Sequence, residues 1–237
     1  MKKFNELISH IADIYSKKHS DAEKYLNKAR KLKYIFGNGS AIIYSWFYSI
    51  PQKWIIVEPK ILELMAHTNY FDLNKLLSIP EKRLMKKLKS LVFNKTISVQ
   101  LINFCKAVRY EYDSWDNFSE DLKIKDIFNI FKKLRKYNNI RVTFKNLAAM
   151  KVFVGNANNL IILDTHISET LGIKKTDIRK YRTNEQYFKN LLKYCENITS
   201  ALVNRSLKNV TMIKWGLSIW FEKAKISAEH LLPLVEN

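Results

Sequence analysis

The sequence predicts an all-α protein. Glycine and proline are scarce, at 5 and 4 in 237 residues, and a chain so poor in turn formers favours long helices over a turn-rich sheet. Apolar residues recur at helical spacing, beginning with Phe4, Leu7, Ile8, Ile11 and Ile14. Hydrophobic residues make up 47% of the chain, enough to fill a packed interior.

The first helix is expected over residues 3–16, and a second from about Asp21 to Phe36, stopped by Gly37-Asn38-Gly39. Residues 40–50 form an aromatic-rich apolar stretch before Pro51. Pro59 suits the first turn of a helix running to about Met65. Short helices follow at 71–78 and at 80–90, the latter opened by Pro80. Thr96 can cap a helix from Ile97 to about Tyr112, and another spans about 124–137. Thr143 can cap a helix over 144–154 that closes at Gly155. A loop at 156–159 leads into Leu160-Ile161-Ile162-Leu163, a short buried extended stretch, and Asp164 caps a helix ending at Gly172. Thr183 and Gln186 match a capping box for a helix over 184–204. A helix at 208–224 carries Trp215 and Trp220, and Ser227 opens a last short one. The expected division makes residues 68–155 a central lobe, with 1–67 and 156–237 forming the other.

The chain has 41 Lys+Arg against 22 Asp+Glu, a net charge of +19. An AT-rich genome inflates lysine, but it does not explain why the carboxylates lag. A polyanionic partner does, since phosphate contacts supply most of the affinity for nucleic acid. Cys105 and Cys195, the only cysteines, are too few for an iron–sulfur cluster. No Cys/His spacing suits zinc, so no cofactor or metal is expected. The amino-terminal stretch reads as an amphipathic helix and not a signal peptide, and no apolar run reaches the length of a membrane span. A cytoplasmic, nucleoid-associated protein without a membrane partner is expected.

Two residues invite a chemical reading. If Thr143 is the N-cap, Lys145 occupies the second helical position, where the helix dipole is positive. Positive potential and partial burial both push an ammonium toward the neutral amine, the form that attacks carbon to give a Schiff base. Asp164 emerges from a buried segment at a helix start, where a carboxylate can stabilise positive charge on a sugar or move a proton. Each has an ordinary explanation too. Lys145 can be a surface lysine, and Asp164 is a preferred cap.

Taken together they carry a family resemblance. The stretch Arg141-Val142-Thr143-Phe144-Lys145, then Gly155, then Leu160 to Ile167 with Asp164-Thr165-His166, and Leu171-Gly172 beyond it, resembles the helix-hairpin-helix DNA glycosylase superfamily. That family has a hairpin, a lysine at the start of the next helix, and a buried segment leading to Asp-x-His. Here Asp164 follows Lys145 by 19 positions. The stretch Met212 to Ile226 is similar to the closing helix of the small, cluster-free 8-oxoguanine glycosylase/lyases. Phe71 to Asn94 resembles the family's central helices. The resemblance covers about residues 60–226. The family hairpin reads Gly-hydrophobic-Gly where this chain has Arg141-Val142-Thr143.

The resemblance implies two helical lobes, a helix-hairpin-helix element on DNA, and an active site in the cleft between lobes. It implies excision of an oxidised base, 8-oxoguanine foremost, and nicking of the strand by β-elimination. Lys145 and Asp164 would be catalytic. Arg141, Thr143 and His166 would contact the DNA backbone, and Trp220-Phe221 would line the base pocket. The partner would be duplex DNA containing a damaged base, met by a monomer. The alternative left open is an inactive DNA-binding protein on the same scaffold.

The other aromatic and basic residues have bland readings beside functional ones. Trp46, Trp54 and Trp115 suit the core. The basic groups Lys82-Arg83, Lys86-Lys87 and Lys89, with Lys174-Lys175 and Arg179-Lys180, can track phosphates or form solvated faces.

Overall fold

A computed structural model describes residues 2–47, 54–138, 140, 142–155, 157–232 and 235, the side chains of residues 2, 54 and 55 excepted. The protein is all-helical: helices account for 75% of it, and no strand occurs among the described residues. The chain divides into two compact units. A central unit comprises Leu32–Gly155, and a terminal unit comprises Met1–Lys31 with Asn156–Asn237. The sequence pattern grouped residues 32–67 with the amino-terminal segment. Here the central unit begins at Leu32, and Ile42, Ile43, Tyr44, Phe47, Val57 and Ile61 are wholly buried.

Helix α1 spans Lys2–Trp46 as two helical stretches joined at a kink at Gly37. No break occurs at residues 17–20, which hold no glycine or proline, and Lys18 pairs with Asp21 one turn on. The expected stop at Gly37-Asn38-Gly39 falls at Gly37, whose φ 82° and ψ 173° are non-helical and separate the two stretches, a conformation open to glycine at little cost. Gly39 is needed for a different reason. A Cβ there would lie 2.7 Å from Trp115 Cδ1 and 2.8 Å from the Phe71 carbonyl oxygen. That oxygen also accepts from Trp115 Nε1 at 2.8 Å.

In the central unit follow α2 (Trp54–His67), α3 (Leu73–Ser78), α4 (Glu81–Lys87), α5 (Asn94–Tyr112), α6 (Trp115–Ile124), α7 (Ile127–Leu134) and α8 (Phe144–Val154). Pro59 lies inside α2 and not in its first turn, because the helix starts five residues earlier than expected. Phe93, and not Thr96, is the cap of α5. Helix α6, capped by Ser114, was not foreseen. It takes the first residue of the helix expected over 124–137, and Asp126 caps the remainder as α7. The core is aromatic: Phe104 lies 6.5 Å from Trp46 and 5.9 Å from Phe118, and Phe144 lies 4.1 Å from Phe131, between ring centroids.

In the terminal unit, residues 160–163 form no strand, although Ile161, Ile162 and Leu163 are buried. The helices there are α9 (Thr165–Thr170), α10 (Ile178–Thr183), α11 (Glu185–Val203) and α12 (Met212–Ala224). Helix α10 was not foreseen. Helix α11 is capped by Asn184, whose side chain accepts from the amides of Gln186 and Tyr187. Thr183 is diverted to the Arg179 carbonyl. Helix α12, capped by Thr211, starts at Met212, four residues after the expected 208, and Ser227 caps a 3-10 turn at Ala228–His230. Long-range polar ties hold the first part of α1 here. Glu23 meets Lys214 Nζ at 2.6 Å, the Ala228 amide and Ser227 hydroxyl donate to Asp21, and the Tyr15 hydroxyl donates to the carbonyls of Lys208 and Asn209.

Candidate functional site

In the central unit, Lys145 stands at the second position of α8. Nine of that helix's eleven residues are buried, and Asn146 is the one polar residue among the nine. Lys145 and Lys151 complete the helix, and both are half-buried. The helix is therefore a core element whose cationic side chains emerge near its two ends.

Both ends are fixed. At the amino end Thr143 and Asn146 form a reciprocal capping box. The Asn146 amide donates to Thr143 Oγ1 at 3.2 Å, while Asn146 Oδ1 accepts from the Thr143 amide at 3.2 Å and from its hydroxyl at 2.5 Å. Asn146 Nδ2 donates to the Trp46 carbonyl at 3.3 Å. The buried carboxamide thus uses both its oxygen and its nitrogen, as burial demands. At the carboxyl end Gly155 adopts φ 106°, and the Lys33 ammonium donates to the Val154 carbonyl at 3.1 Å. A cation there complements the helix dipole, and burial lowers the Lys33 pKa below the usual lysine value.

The first turn of α8 contains no acidic residue. Lys145 therefore sits at the positive end of the dipole with no carboxylate in its own turn. Thr143 is bound into the cap, and its one hydroxyl proton is engaged by Asn146. The expected role of Arg141 lies outside the described residues.

In the terminal unit, Asp164 caps α9 as expected, its Oδ1 accepting from the Ile167 amide at 2.8 Å. The segment before it is buried, while the aspartate is half-buried. The Ser168 hydroxyl donates to the Asp164 carbonyl oxygen. Arg182, which the sequence pattern did not single out, completes this corner. Its Nε donates to the Leu163 carbonyl at 2.9 Å. Burial lowers the guanidinium pKa, and the negative charge of Asp164 acts in the opposite direction. The one signal in sequence was the basic run ending at Arg182, on a helix too short to show periodicity. His166 is half-buried on α9, and its carbonyl accepts from the Thr170 hydroxyl at 2.9 Å.

Trp220 and Phe221 lie on α12, also in the terminal unit, with Tyr25 beside them. Tyr25 lies 6.2 Å from Trp220 and 5.9 Å from Phe221, and the adjacent pair lies 5.1 Å apart, between centroids. Phe221 is fully buried and Trp220 half-buried. Trp220 is therefore the member with a surface to offer, and Phe221 backs it from the core. Gly216 lets α12 approach closely, since a Cβ there would touch Ile161 at 3.4 Å.

Two open depressions lie elsewhere. One of about 360 Å³ in the central unit is lined by Glu111, Asp113 and Asp121 among others, and one of about 350 Å³ in the terminal unit by Gly172, Lys174 and Tyr181 among others. Neither is lined by Lys145, Asp164 or Trp220. Among the described residues no cluster of His, Cys, Asp or Glu is arranged for a metal ion. Both cysteines are buried, and burial raises their thiols, Cys195 to about 12, so neither is a nucleophile near neutral pH. No helix of the described residues is long and apolar enough to cross a membrane. Comparison with family models, curated proteins and solved structures gave no match.

Proposed function

We propose that this chain is a bifunctional DNA glycosylase/AP lyase of base-excision repair. It would act as a monomer on duplex DNA, excising an oxidised base with 8-oxoguanine the leading substrate. The observation that carries the reading is Lys145. It is a half-buried lysine in the capped first turn of a helix with nine of its eleven residues buried, 19 positions before an aspartate at the head of α9.

The chemistry follows from those two groups. The neutral Lys145 amine attacks the sugar C1′ of the damaged nucleotide. The C1′–base bond breaks, its electron pair leaves with the base, and the base takes up a proton. The C1′–O4′ bond then opens, leaving a protonated imine between Lys145 and C1′ and a hydroxyl at C4′. Loss of a C2′ proton expels the 3′ phosphate oxygen, and water releases the lysine. Asp164 accepts the amine proton or steadies positive charge at C1′. Trp220 offers a face for the extruded base, as expected where bases are flipped from a duplex. Arg141 and His166 would hold the DNA backbone, and Thr143, bound into its cap, would position the lysine.

Borohydride trapping tests this. Duplexes carrying 8-oxoguanine, an oxidised pyrimidine or an abasic site are incubated with the protein and reductant. A covalent adduct is expected, and Lys145→Ala should lose it. Equal trapping by Lys145→Ala would put the nucleophile elsewhere and end this reading. Salt-sensitive duplex binding with no adduct from the wild type would favour the inactive DNA-binding alternative.

A further inference from the structure

Cationic charge is not spread evenly along this chain. Residues 82–110 contain no aspartate or glutamate, yet the first half of that stretch holds Lys82, Arg83, Lys86, Lys87, Lys89 and Lys95. A genome-wide inflation of lysine would not also clear the carboxylates from one segment.

These six residues lie on α4, in the turn after it and at the start of α5. All are exposed except Lys87, which is half-buried. None has a carboxylate within ion-pair distance among the described residues. Glu63, whose carboxyl Lys87 helps to hold below its ordinary value, is already paired with Lys60 at 2.7 Å, and Glu81 in the first turn of α4 forms no ion pair with these cations among the described residues. Some lysines elsewhere are spent differently: Lys125, Lys189 and Lys214 each lie within 2.8 Å of a carboxylate.

The same turn carries a second oddity. Phe93 is 68% exposed and Val92 43% exposed. Phe93 also holds φ 58° and ψ 32° as the cap of α5, a left-handed conformation that bulky residues rarely adopt and that is retained chiefly where the surroundings or a function require it. An exposed aromatic ring therefore projects from a bend between Lys89 and Lys95.

We infer that α4 and the turn joining it to α5 form a docking face for double-stranded DNA. The cations meet phosphates, and Phe93 with Val92 lies against base and sugar edges in the groove. A lipid surface is the other polyanion such a face can meet. A membrane-bound helix, however, lays an apolar stripe into the lipid; on α4 itself Leu84 is fully buried and Met85 half-buried, so the helix offers no such stripe and the exposed apolar residues are confined to Val92 and Phe93 in the turn. This face goes beyond the lyase reading and stands without it.

The test uses the full chain and an undamaged duplex of about 20 base pairs, with binding followed by fluorescence anisotropy between about 50 and 200 mM salt. Each phosphate that is no longer neutralised flattens the slope of log affinity against log salt by about 0.9. The variant Lys82→Gln/Lys86→Gln/Lys87→Gln/Lys89→Gln should flatten it by about 3 and weaken binding at least about 30-fold near 150 mM salt. The control Lys17→Gln/Lys31→Gln/Lys193→Gln/Lys208→Gln removes the same charge from exposed positions of the terminal unit and should cost less than about 3-fold. Phe93→Ser should weaken binding about 5- to 10-fold with the slope unchanged, as loss of a partly buried apolar contact would.

Equal losses in the two fourfold variants would mean that net charge alone matters, and would overturn the proposal. So would an unchanged slope in the first variant, or vesicles of anionic phospholipid being the polyanion whose binding it loses. If the fourfold variant loses its helical signal, Lys86→Gln and Lys89→Gln singly should each flatten the slope by about 0.9. Borohydride trapping on an abasic-site duplex reports the lyase reading and the salt slope on the undamaged duplex reports this face, so failure of the one and failure of the other give different results.

Discussion

The helices that carry Lys145 and Asp164 are held in opposite ways. Helix α8 is a core element: nine of its eleven residues are buried, and both ends are tied down. Helix α9 is six residues long, with Ile167 and Ser168 as its buried members, and it depends on its Asp164 cap. The nucleophile proposed here is thus placed by packing, and the carboxylate by hydrogen bonds it makes itself. Changes around Lys145 should cost stability and activity together. At Asp164 the two can be separated.

The largest expected effect exploits that separation. Asn caps helices about as well as Asp, so Asp164→Asn should fold and melt like the wild type. As the charge is removed, single-turnover base release should fall at least about 100-fold, the scale of a general acid–base contribution. Normal rates would reduce Asp164 to a cap. A rate that falls only in step with melting temperature would say the same.

Next is Asn146→Ala. It removes the acceptor of the Thr143 amide and hydroxyl and the donor to the Trp46 carbonyl. About 2–3 kcal/mol of unfolding free energy should go, with trapping reduced in parallel. Denaturant titration checks the first and borohydride trapping the second. A stable Asn146→Ala protein would mean that packing alone holds the start of α8.

Arg182→Met keeps an apolar stem but deletes the donor to the Leu163 carbonyl. About 1–2 kcal/mol should be lost, read by the same titration. Trapping should fall more than stability does if Arg182 steadies the Asp164 carboxylate, and equally if it only props the loop.

The smallest effect concerns acid. The hydrogen bond from Lys214 holds the Glu23 carboxyl below its ordinary value of 4.5. Its contribution to stability is therefore present above about 4.5 and is lost as pH falls through the lowered value. Glu23→Gln should weaken the protein at pH 7 by less than about 1 kcal/mol, since solvent screens the pair, and the deficit should shrink toward pH 3. A deficit independent of pH would contradict the sign.

The contrast between α8 and α9 also marks what could be read from sequence. Thr143, Gly155, Asp164 and Gly172 punctuate their helices through local chemistry, since a short polar side chain seeks nearby amides and glycine accepts a positive φ. Those boundaries were legible. Helix α10 was not, because six residues give little periodicity, and the partner of Arg182 lies 19 positions upstream at Leu163. The α5 cap was missed because nothing local announces a phenylalanine at φ 58°. Thr183 and Asn184 are both capping residues, and the choice between them came from the backbone of α10, which claims the Thr183 hydroxyl. The carboxamide network of Asn146 was likewise hidden, since half of it depends on Trp46.

The most direct measurement is to locate the covalent bond. The borohydride-reduced adduct formed on an abasic-site duplex is digested and its modified peptide sequenced by mass spectrometry. The prediction is a single modified residue, Lys145, in the peptide spanning the start of α8. A modification at any other lysine, such as one of the exposed cations of α4, would contradict the account.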